Sequence, residues 1–192
     1  LDKAIETEFE SLCYEKQNNP NAIISRYALV NDEEEKNKIK VINVSVDKAK
    51  IGKITQLLDE KRVGIITPIS MSIPNIAPLE KNENTLIVNL EDVTTVTTLI
   101  GQKVYNVSTL QVGAGQILEK ISSKVNSYAK AYEICKNTTI YTMDGQELQK
   151  NESEYLEDIV PILYTIASQV RDIIGASLFK VNKVFITGTG LS

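Results

Sequence analysis

Residues Thr85–Ile121 read TLIVNLEDVTTVTTLIGQKVYNVSTLQVGAGQILEKI. Thr85–Leu90 is apolar enough for a central strand. Glu91-Asp92 supplies turn chemistry, and Thr94–Leu99 is rich in β-branched residues that suit a pairing partner. Gly101-Gln102 marks a second tight turn, and Lys103–Leu110 a third strand. Val112-Gly113-Ala114-Gly115 then opens an amphipathic helix that runs to about Val125. The stretch therefore predicts a three-stranded meander, a glycine loop and a helix. Glycines ahead of a helix let backbone N–H groups approach an anion, and they equally serve any turn that needs close approach. Both readings of Gly113 and Gly115 stand at this point.

Outward from this stretch, Leu1, Ile5, Phe9 and Leu12 fall at helical spacing. Ile23–Val30 and Lys38–Val46 read as strands joined across the acidic run Asp32–Glu35, a solvated hairpin connection. Asp47 is a good N-cap for a helix over Lys48–Lys61 that should bury Ile51, Ile54, Leu57 and Leu58. Val63–Ile66 predicts a further strand, so that 23–67 forms a strand, strand, helix, strand module. Pro68, Pro74 and Pro78 break the chain around a short helical piece. Past the meander, residues 127–136 read as helix, Thr138–Met143 as strand and Asp144-Gly145 as a turn. A long amphipathic helix covers Tyr155–Ile174, with Ile159, Ile162, Leu163, Ile166, Val170, Ile173 and Ile174 inward. A short strand, Lys183–Thr187, runs into Gly188-Thr189-Gly190.

Composition narrows the function classes. The 192 residues are 42% hydrophobic, enough for a buried core. Net charge is −4 with scattered Lys and Arg, and the tyrosines are not interleaved with basic residues, which argues against a nucleic-acid partner. The sequence has no histidine, so neither a Ser-His-Asp nor a Cys-His catalytic group can be built from it. Cys13 and Cys135 are isolated, which fits reduced thiols and speaks against a zinc site. No catalytic or metal-ligating residue is assigned. No apolar run reaches the roughly 20 residues that span a bilayer. Both ends read as cuts through a longer protein.

The meander, Gly113-Ala114-Gly115 and the terminal VFITGTGLS together resemble the second half of an actin-like ATPase, the superfamily of actin, sugar kinases and Hsp70. The resemblance implies an α/β fold of actin-like (ribonuclease H-like) subdomains with a small inserted α+β module. It places a leading helix and that module in 1–80 and the second actin-like half in 81–192. In the family, an Asp-x-Gly-x-x-Thr turn cradles phosphate, and a later Gly-Thr-Gly turn lies beside adenine and phosphates. Carried over, Thr94, Thr95, Gly113, Gly115, Gly188, Thr189 and Gly190 become the nucleotide contacts, with ATP and magnesium as the implied cofactors. The departures oppose that. Asn89 stands in the acid's place and Glu91 in the glycine's, where its charge would repel phosphate. In the segment similar to the family's Ala-Glu-x-Ile-Lys helix, Tyr132 and Cys135 replace the acid and the lysine. The first phosphate motif would precede Leu1.

The inserted module and the long helix with Ser168-Gln169-Val170-Arg171 resemble the PilM type IV pilus assembly proteins more than the FtsA division proteins; the secretion protein GspL shares the ancestry. A PilM-like chain implies a cytoplasmic scaffold at the inner face of the cell membrane. Its partner would be the N-terminal tail of a PilN-like membrane protein, bound near 23–67 and Ile69–Leu79, with self-association as a second interaction. Nucleotide binding would be degenerate or weak. An FtsA-like division scaffold and an active Mg-dependent ATPase are the alternatives.

Overall fold

The computed structural model describes residues 1–30, 39–58, 63–138 and 154–188. They form two compact units, Leu1–Thr67 and Pro68–Ser192. The division falls after Thr67, and the proline-broken segment lies in the second unit.

In the first unit, helix α1 (Asp2–Glu15) is followed by strands β1 (Ile23–Val30) and β2 (Lys40–Asp47) and by helix α2 (Lys48–Leu57). β1 and β2 pair antiparallel along their whole length, Ile23 opposite Asp47 and Val30 opposite Lys40. Asp47 caps α2 by accepting from the Ala49 N–H at 2.7 Å, as its position predicted. Two expectations fail here. Residues 63–66 are not a strand. β-formers make a strand only where a ladder partner is offered, and Gly64 lowers the propensity further; Ile65 is left 86% exposed. Helix α2 buries no residue: Ile54, Leu57 and Leu58 are exposed and Ile51 is half-buried. A two-stranded ribbon is too narrow to cover a full helix face. The acidic run Asp32–Glu35 and Lys61 lie outside the described residues, as do residues 139–153 with the Asp144-Gly145 turn.

The second unit opens with a short helix, α3 (Ile69–Ser72), and a single 3-10 turn at Ile73–Asn75. Strands β3 (Asn84–Leu90), β4 (Thr94–Ile100) and β5 (Lys103–Thr109) form the meander. Helices α4 (Ala114–Val125), α5 (Tyr128–Asn137) and α6 (Leu156–Ala176) follow, then strand β6 (Lys183–Thr187). The sheet order is β5-β4-β3-β6, with β6 parallel to the central β3. Leu86, Val88, Leu90 and Val96 on one sheet face pack with Ile117 and Ile121 of α4, Ala131 of α5 and Ile159, Ile162 and Ile166 of α6. The inward residues of all three helices follow the 3.6-residue spacing of the sequence. Alternation sends Thr85, Ile87 and Asn89 to the other face, where the Thr97 hydroxyl donates to the Ser70 carbonyl of α3 at 3.2 Å. The far end of β3 is latched to β6. Asn182 N–H donates to the Asn84 carbonyl at 2.8 Å, and Lys183 sits 2.8 Å from Glu80 and 2.6 Å from Glu83.

Candidate functional site

At the opposite end of the sheet, the β3–β4 turn, the start of α4 and the end of β6 converge. The Ala114 N–H donates to the Glu91 carbonyl at 2.8 Å, Thr94 N–H to the Val112 carbonyl at 3.2 Å, and Leu110 N–H to the Thr94 carbonyl at 2.9 Å. The loop leading into α4 is thus stitched to the turn, and one N–H of the helix's first turn is spent on it. The glycines explain the closeness. A Cβ on Gly113 would lie 2.3 Å from the Asp92 carbonyl oxygen, and one on Gly115 3.1 Å from Asp92 Cα. At Gly188, φ is +114°, and a Cβ would lie 2.3 Å from the Leu90 carbonyl oxygen. At Gly113 and Gly188 the backbone of the turn and of the end of β3 already requires glycine, whereas at Gly115 the contact is tight but leaves room for small shifts.

The sequence groups Thr94 and Thr95 as neighbouring contacts; the strand separates them. Thr94 faces the helices with its hydroxyl buried and unpaired. Thr95 faces the other way, directly opposite Asn89, which in turn lies opposite Thr187, while Thr109 is opposite Thr95. A row of short polar side chains, Thr109, Thr95, Asn89 and Thr187, therefore crosses all four strands near their ends. Asn89 is 3% exposed, and both its Oδ1 and the Thr95 hydroxyl are buried without a partner. Sequence reading singled out Asn89 as a lost acid but missed Thr109 and Thr187, because only strand register brings them alongside. Thr189 and Gly190 lie outside the described residues. Tyr132 is exposed on α5, and burial pushes the half-buried Cys135 thiol up from its ordinary range.

A hard divalent cation is held through carboxylate and phosphate oxygens, whereas the row at Asn89 is neutral. Among the described residues no three Asp, Glu, Cys or His side chains converge to hold a metal ion. At Gly113, Gly115 and Gly188 the space a side chain would take is filled by the chain's own backbone.

A different kind of site lies in the first unit. α1 and β2 enclose a groove of about 370 Å³, lined by Leu1, Ala4, Ile5, Phe9 and Leu12 of the helix side and Ile39 and Val41 of the strand side, with Glu8 and Asn43 as its polar members. The Tyr27 hydroxyl of β1 donates to the Asp2 carboxylate of α1. That bond holds the phenol above its usual range, through the hydrogen bond first and then through desolvation and the nearby charge.

No protein-family model matches the chain, and no curated protein matches it in sequence. Solved structures do. The PilM-PilN type IV pilus biogenesis complex superposes with a TM-score of 0.71 at 16% identity, over 98% of this chain and 56% of that one. MreB5 of Spiroplasma citri bound to ADP gives a TM-score of 0.54 at 12% identity, over 75% of this chain and 54% of that one. The same protein bound to AMPPNP gives 0.51 at 10% identity, over 68% and 47%. The fold is the actin-like α/β fold that the sequence resemblance implied. The chain spans about half the length of the structures it matches.

Proposed function

We propose that this chain is part of a cytoplasmic, actin-like scaffold in a type IV pilus assembly platform at the inner face of the membrane. Its groove between α1 and β2 takes the N-terminal tail of a PilN-like membrane partner. The observation that carries this reading is the groove itself: an open apolar channel beside a sheet edge has the dimensions and lining for a peptide, not for a polar metabolite. The likeness to the chain of a PilM-PilN complex supports the choice of partner. Nucleotide binding at the converging glycines is weak or lost in this reading, supported by the neutral Asn89 row and the backbone contacts of Gly113, Gly115 and Gly188.

Fluorescence anisotropy with a labelled synthetic peptide of the PilN-like tail tests it. The tail should bind saturably, and Val41→Glu, which places a charge in the apolar lining, should weaken binding at least about tenfold. A tail that binds the variant as well as the native chain, or binds neither, refutes the assignment.

A further inference from the structure

Basic charge and exposed apolar surface coincide on helix α2 of the first unit. α2 carries Lys48, Lys50 and Lys53 and no acid, in a chain whose net charge is −4. The unit's other helix is the reverse: Asp2, Glu6, Glu8, Glu10 and Glu15 of α1 stand against Lys3 alone. α2 lies against β2, and Ile51, Gly52 and Thr55 make its half-buried side. The side turned away is apolar. Ile54, Leu57 and Leu58, at i, i+3 and i+4, are 44%, 84% and 42% exposed. Lys50 stands one turn before Ile54 and Lys53 one turn before Leu57, so both border the stripe. Lys48 is tied to the Asn21 carbonyl at 2.6 Å, whereas among the described residues no ion pair holds Lys50 or Lys53. Asp47, the acid just ahead of the helix, is spent on its cap. Asp59, Glu60, Lys61 and Arg62 follow Leu58 in sequence and cancel in charge.

We infer that α2 is a membrane-contacting helix whose exposed stripe lies on an anionic phospholipid surface. Ile54, Leu57 and Leu58 enter the headgroup boundary, and Lys50 and Lys53 meet lipid phosphates. Apolar side chains bordered by lysines are the pattern of an interfacial helix, in which apolar burial and attraction to anionic lipid add. Lysine suits the border because its stem covers apolar surface while the ammonium stays in water. A protein partner fits less well: three aliphatic side chains fall far short of the roughly 800 Å² that each side of a stable interface buries. A helix of 10 residues with so small a stripe binds weakly and reversibly. It therefore orients a chain that other contacts hold near the membrane. This contact is independent of the tail groove, whose lining includes no residue of α2.

Co-sedimentation of the full chain with vesicles, in the absence of any tail peptide, tests it. Vesicles of equal parts phosphatidylglycerol and phosphatidylcholine should bind the chain at least about tenfold better than phosphatidylcholine alone, and added salt should release it. Leu57→Glu should abolish the binding while leaving the circular dichroism spectrum and the tail affinity unchanged. Lys50→Glu with Lys53→Glu should remove the preference for phosphatidylglycerol, and Lys50→Arg with Lys53→Arg should keep it. Equal binding to both kinds of vesicle, binding to neither, or a Leu57→Glu chain that still binds overturns the membrane contact. Tail binding by the same chain then leaves the proposed function standing, and tail that fails to bind while vesicles do removes the proposed function alone. A native chain that dimerises in sedimentation and becomes monomeric on Leu57→Glu gives the stripe to a second copy and overturns the contact as well.

Discussion

Replacing Gly113 with alanine separates a glycine kept for the fold from one kept for a ligand. The backbone there is extended, with φ −163° and ψ −177°, which alanine adopts freely, so the whole cost lies in contact. The added methyl would meet the Asp92 carbonyl oxygen at 2.3 Å, its carbon at 2.7 Å and the Glu91 carbonyl oxygen at 2.8 Å. None is the loose end of a side chain. Relief requires the turn to withdraw from α4, which strains the Ala114–Glu91 hydrogen bond of 2.8 Å. Overpacking of this kind costs about 1–3 kcal/mol, and a lost hydrogen bond about 1 kcal/mol more. Gly113→Ala should therefore cost about 2–4 kcal/mol in urea denaturation followed by circular dichroism, with an unchanged slope. Gly115→Ala is the control. Its nearest atoms are 3.1 Å away, and in a helix alanine gains up to about 1 kcal/mol over glycine, so the two effects nearly cancel. A Gly113→Ala chain within about 0.5 kcal/mol of native stability, or one less damaged than Gly115→Ala, would show the close approach to be irrelevant to folding and return the glycine to a ligand role.

Other outcomes follow from the same geometry. Mg-ATP should move the melting temperature by less than about 1 °C; a site filled at a hundredfold excess over Kd would add about 2.7 kcal/mol, so a rise of several degrees refutes the weak-nucleotide reading. Leu86→Ala removes a side chain with 0% exposure and should cost about 2–5 kcal/mol. Leu57→Ala, at 84% exposure on the uncovered face of α2, should stay within about 0.5 kcal/mol in the same denaturation assay. Glu80 and Glu83 hold the Lys183 ammonium above the ordinary lysine value of 10.5. The contribution is complete below that pH and is lost as pH climbs through the raised value. Lys183→Met should flatten the alkaline limb of a melting-temperature profile, and an unchanged limb would remove the latch from the account.

Most of the secondary structure was legible because its signals are local. The meander follows from alternating β-branched residues and two turns, and α6 from seven apolar residues at helical spacing. The cap at Asp47 is a short-range hydrogen bond. The failures share one cause. Val63–Ile66 has the composition of a strand but no ladder partner among the described residues, and α2 has an apolar face with too narrow a sheet beneath it. Pairing and cover are long-range facts that composition does not encode.

At the candidate site, the sequence by itself determined the replacements. Asn89 and Glu91 stand in the turn where the resemblance expects an acid and a glycine, and no fold can restore their chemistry. Only the tertiary structure decided what the surviving residues do. Strand alternation put Thr94 and Thr95 on opposite faces, and register drew Thr109 and Thr187 into line with Asn89. The approach of α4 and β6 to the turn set Gly113, Gly115 and Gly188 against backbone from far along the chain. The physical reason is that a residue type fixes what an atom can bond, whereas packing fixes which atoms come within reach.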